Sequence, residues 1–89
     1  MVRETPTITS GVAFQNPHQI TVKYVFELKG AGKCVVEVGD SATNLVSLGT
    51  LELASTTDAL YQLDIPGERW CKLTLTTATL GLVSALVGW

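Results

Sequence analysis

The chain has 89 residues, 46% of them apolar and 16% charged, and six Lys and Arg against eight Asp and Glu give a net charge of −2. That length suits one domain, which hides about 60% of the surface its unfolded chain exposes, and it leaves no room for a second. The apolar content excludes disorder by composition, and the near-neutral balance offers no footprint for phosphate backbones or anionic lipid, so nucleic acid is not an expected partner.

The opening stretch MVRETPTITS lacks the apolar run of a secretory signal, which places the chain in the cytoplasm where it is made. Pro6, Thr5, Thr7, Thr9 and Ser10 disfavour a central strand, so residues 1–10 read as an extended arm, either frayed or laid on a neighbour. Residues 11–89 read as the folded domain. In QITVKYVFELK, Ile20, Val22, Tyr24, Phe26 and Leu28 share one face and Thr21, Lys23, Glu27 and Lys29 the other, the period of a strand. Gly30, Ala31 and Gly32 then reverse the chain into KCVVEV, whose Cys34, Val36 and Val38 alternate with Lys33 and Glu37. The two segments predict a hairpin.

Gly39, Asp40 and Ser41 predict the next turn. In LVSLGTLEL, Val46 and Leu48 have one parity and Leu51 and Leu53 the other; a bulge at Gly49 or Thr50 would bring all four to one face. ALYQLDI alternates through Ala59, Tyr61, Leu63 and Ile65, with Pro66 and Gly67 suited to the middle of a type II turn. WCKLTL turns Cys71, Leu73 and Leu75 inward, and the next turn falls within Thr77 to Gly81. These elements predict an all-β fold: a single antiparallel β-sandwich or jelly-roll-like domain of about six to eight short strands.

From Leu73 to Trp89 there is no charge, a run that approaches the roughly 17 residues a spanning helix needs. Its Leu-Thr alternation, its glycines and its place after a series of strands favour a buried strand over a membrane anchor. Within LGLVSALVG, Leu82, Ser84 and Leu86 lie on one side and Val83, Ala85 and Val87 on the other, so both sides are apolar. A sandwich buries one, and the second must meet either the N-terminal arm or another subunit. The candidate interface therefore comprises Val83, Ala85, Val87 and Trp89, with Trp70, Val2 and Ile8.

Catalytic chemistry finds little purchase. His18, in NPHQ, has no nucleophile motif beside it, and Asp58, Asp64, Glu52 and Glu68 show no spacing that singles out a pair. Gly30, Gly32 and Gly39 do not form a phosphate loop, since no Gly-Lys-Ser/Thr ending follows. Cys34 and Cys71 read as small buried hydrophobes, a disulfide being the alternative that a reducing compartment disfavours. Two cysteines and one histidine do not close a zinc site, so neither metal nor cofactor is expected. Trp70 has the parity opposite to Cys71 and faces outward; with Tyr24 or Tyr61 it could stack on a sugar ring, whereas alone it suits an interface anchor.

The hairpin-and-turn pattern of ITVKYVFELKGAGKCVVEV, VSLGTLEL, YQLDIPGERWCKLTL and GLVSALVG resembles small β-sandwich structural proteins of tailed bacteriophages, which decorate or cement heads or build fibres. The resemblance implies a non-enzymatic virion component assembled in the host cytoplasm, often trimeric, whose partners are the capsid protein and copies of itself. It assigns no role to individual residues. The alternative is a carbohydrate-binding sandwich module of a phage tail or adsorption apparatus, which predicts a groove with two or more exposed aromatics.

Overall fold

The computed structural model describes residues 1–54 and 59–88. Among these are eight strands and no helix: β1 (Val2–Glu4), β2 (Phe14–Gln15), β3 (Val22–Lys29), β4 (Gly32–Ser41), β5 (Asn44–Leu53), β6 (Ala59–Ile65), β7 (Trp70–Thr76) and β8 (Thr79–Val87). They form two four-stranded antiparallel sheets, ordered β1-β8-β3-β6 and β2-β7-β4-β5. Within the sheets the first strand meets the last, β2 meets β7, β3 meets β6 and β4 meets β5. This nested pairing is the wiring of a jelly roll, one long hairpin wrapped into a sandwich.

Period-two alternation drives the wrapping. Val22, Tyr24, Phe26 and Leu28 of β3 are buried, as are Cys34 and Val36 of β4, Ile65 of β6, Cys71 and Leu73 of β7, and Val83 and Ala85 of β8. Each large member stabilises the fold by about 1.5–3 kcal/mol through its burial. Phe14, Tyr24, Phe26 and Tyr61 form an aromatic row across the core, with neighbouring ring centroids 5.7–6.3 Å apart.

Four local expectations need correction. β3 and β4 are not a hairpin, because they lie in opposite sheets. The glycines between them do reverse the chain, but across the roughly 10 Å gap between sheets and not within one sheet. Gly32 has φ +148°, and a Cβ there would collide with the carbonyl oxygen of Thr76, so both conformation and space demand glycine. The following turn lies at Ala42–Thr43, two residues later than the Gly39–Ser41 reading, since Gly39 and Ser41 still pair with Leu45 and Asn44.

At the next corner Arg69 N donates to Pro66 O (3.2 Å), so Gly67 and Glu68 occupy the middle of the turn and Glu68 takes φ 62°. Gly67 is there for proximity: a Cβ would strike the backbone of Gln19. Ile20 lies outside β3 and is 51% exposed. Its carbonyl is held instead by the Asn16 side chain, which keeps that residue in the loop.

A bulge is present, at Leu48 and not at the expected Gly49 or Thr50, so Leu48 itself does not join the inward face. Val36 pairs with Gly49 and Glu37 with Ser47, so Leu48 is the extra residue. Leu51 and Leu53 pack on the core and Val46 pairs with Val38, but Val46 and Leu48 remain 66% and 58% exposed. The closing segment runs extended as β8, and no helix among the described residues is long and apolar enough to cross a membrane.

Candidate interaction surface

The sandwich has two lateral sides. On one, β1 and β2 are the terminal strands, and the segment between them crosses from one sheet to the other. Ile8 packs on the core, Ser10 Oγ accepts from Leu75 N (2.9 Å) and Gly11 N donates to Leu73 O (2.8 Å). Beyond β2, Asn16 is fully buried. Its Nδ2 donates to the carbonyls of Ile20 (3.0 Å), Ile65 (3.0 Å) and Pro66 (3.2 Å), and its Oδ1 accepts from His18 N (3.0 Å). One amide thus satisfies the backbone of a whole corner, where unpaired carbonyls would be costly.

His18 Nε2 lies 2.8 Å from Glu4 Oε1, so the loop histidine fastens β1. Burial, then the nearby Glu4 carboxylate, raise the pKa of the Tyr24 phenol. Both thiols are free and buried; desolvation raises that of Cys34 and pushes that of Cys71 up to about 12. Cys34 pairs with Leu75 and Cys71 with Val38, four ladder steps or about 13 Å apart along adjacent strands, too far for a disulfide. Among the described residues no three His, Cys, Asp or Glu side chains converge as metal ligands would. Asp58 lies outside the described residues.

The candidate interface residues divide. Val83 and Ala85 are buried in the chain's own core, 4% and 1% exposed, and Val87 packs beside them. The face assigned to a partner is therefore the inner face, and Leu82, Ser84 and Leu86 turn outward. Ile8 also packs on the core. Val2 is 63% exposed and pairs with Val87, while Trp70 is half-buried on the outer face, in a row with Gln15 and Gly39. Trp89 lies outside the described residues. Tyr24 is buried and Tyr61 half-buried against the core, so neither joins Trp70 as a sugar platform.

The opposite side is built differently. β5 and β6 are the terminal strands there, each paired along one edge only among the described residues. Tyr61 of β6 and Val36, Leu48, Gly49, Thr50 and Leu51 line a notch of about 150 Å³ between them. Val46, Leu48 and Leu60 stand 66%, 58% and 71% exposed along this side. Charges are sparse: Glu52 is the only one on β5 and Asp64 the only one on β6. Natural proteins usually guard a long strand edge with charges, prolines or a covering segment, and this one carries few charges and several exposed aliphatics. Sequence parity missed it, because parity identifies faces and says nothing about which strands end a sheet. No protein-family model, curated protein or solved structure matches the chain.

Proposed function

We propose that the chain is a non-enzymatic structural protein of a phage virion, a decoration or cement subunit that binds the capsid and stabilises it through subunit–subunit contacts. The observation that carries this reading is the β5/β6 side, whose two outer strand edges have no partner among the described residues, with the exposed Val46, Leu48 and Leu60. Jelly rolls serve capsids and lectins alike, so the surface and not the fold decides between them. A surface with no paired exposed aromatics among the described residues favours protein contact over glycan stacking. Each copy that bridges neighbouring capsid subunits adds buried area that is lost when the shell opens, and repetition over the shell multiplies a weak contact.

The test is co-sedimentation of the purified chain with capsids of its phage prepared without it. Saturable binding, a raised capsid melting temperature, and loss of both in a Leu48→Lys/Leu60→Lys double variant are expected. A chain that leaves capsids untouched, or that binds glycans through Trp70, would overturn the proposal.

A further inference from the structure

We infer that β1 is an exchangeable arm: between neighbouring copies of the chain it leaves its own β8 and completes the sheet of the other copy, reciprocally and in the same register. The inference goes beyond the capsid role, since it uses the opposite side of the sandwich and names a second copy as the partner there.

β1 is separable from the rest of the fold. It has three residues, all exposed, and meets β8 in three register pairs, Val2 with Val87, Arg3 with Leu86 and Glu4 with Ala85. Two side-chain contacts at exposed positions add to these: Arg3 Nε donates to Ser84 Oγ (3.1 Å), and Glu4 Oε1 lies 2.8 Å from His18 Nε2. A strand held by so little opens in a few per cent of molecules, on the order of one in thirty. The firm anchors come later in the chain, where Ile8 packs on the core and Ser10 and Gly11 bond to β7. Thr5 to Thr7 lie between, outside any strand. Pro6 fixes its own φ and biases Thr5 to extended backbone, so a freed arm projects from the body as a strut. Residues 1–7, fully extended from the anchor at Ile8, reach about 23 Å.

Release bares the outer edge of Ala85–Val87 and one side of the Val87 side chain, a strip of backbone that attracts another strand. The structure shows what fits this strip: β1 is seated on it. A second copy brings the identical strand, so Val2 again meets Val87, Arg3 again reaches Ser84 and Glu4 again reaches His18. The exchange loses no contact. Reciprocal exchange about a two-fold axis leaves neither β8 bare, which makes it a low-cost route to a dimer. A foreign strand would have to carry a base and an acid at the same two positions. In dilute solution each chain's own arm is the nearest, at an effective concentration on the order of 1 mM, and the copies stay closed. Crowded copies present one another's arms at a comparable concentration, and exchange then competes with closure.

Mixing two single variants reads the exchange directly. An isotope-labelled Val2→Cys chain and an unlabelled Val87→Cys chain, concentrated to about 1 mM and mildly oxidised, join in a mixed disulfide where the arm of one copy lies on β8 of the other. Cys34 and Cys71 are buried and do not compete. The control mixes Val2→Cys with Leu60→Cys, at an exposed position on the far side of the sandwich. Mass spectrometry is expected to find the first mixed disulfide forming at least tenfold faster than the control. Arg3→Cys mixed with Leu86→Cys repeats the measurement at the next register pair, so that a poorly folded Val87→Cys does not decide the result. Equal rates in test and control would overturn the inference, as would a Val2→Cys/Val87→Cys double variant that closes only within single chains at every concentration. Because these readings need no capsid, exchange without capsid binding removes only the virion role, and capsid binding without exchange removes only the arm's.

Discussion

The two sides of this sandwich solve the same problem in opposite ways. Every sheet ends in strands with unpaired amides and carbonyls, which must be covered, guarded or used. On the β1/β2 side the chain covers its own seam: the arm pairs with β8, crosses the gap, pairs with β7, and is locked by Asn16 and the Glu4–His18 contact. On the β5/β6 side nothing comparable is sewn across the described residues, and aliphatics stand in water. Stability is invested on the β1/β2 side and the capsid contact proposed above uses the other, so substitutions should separate by side.

Asn16→Ala should give the largest loss, about 3 kcal/mol, because three carbonyls at a buried corner lose their donor at once; urea unfolding measures it. Deleting residues 1–4 should cost about 2 kcal/mol, since β8 loses its edge partner and Val87 its cover, and the same unfolding experiment should show the core otherwise intact. On the open side, Leu48→Lys or Val46→Lys should change unfolding free energy by no more than about 0.5 kcal/mol while eliminating capsid binding. A destabilisation there as large as that of Asn16→Ala would erase the distinction between the two sides.

The thiols probe the same contrast through dynamics. Cys71 lies beneath β2 on the sewn side, and Cys34 sits beside Leu51 on β5, the open edge. Labelling by a thiol reagent at neutral pH should therefore reach Cys34 first, as local opening begins at the less covered strands. Alkali adds a second readout. Because the folded Cys71 thiol is raised to about 12 from 9.0, the unfolded chain loses its proton first, and stability present below about pH 9 should fall as pH rises towards 12. Cys71→Ala should flatten that decline in a pH series of urea melts.

The inner face of β3 was legible from the alternation of Val22 to Leu28, because only one side of that strand is apolar. The bulge was legible too, since Val46 and Leu51 could share a face only through an extra residue. The face of β8 was not legible: with Val83 and Ala85 on one side and Leu82 and Leu86 on the other, period two marks a strand without choosing its buried side. The two-residue link of Gly30 and Ala31 was equally ambiguous, as it fits a turn within a sheet or a crossing between sheets. The exposed Val46, Leu48 and Leu60 were hidden for the same reason, because edge position depends on the order of strands.

Side-chain periodicity is a local property, carried by each strand's own residues, and it was enough to determine an all-β sandwich and most of its inward positions. Which strands neighbour one another, which end a sheet, and which apolar face of β8 turns inward are settled by contacts between residues far apart in the chain. Those contacts exist only once the roll has closed, and so the sewn side and the open side became visible only in three dimensions.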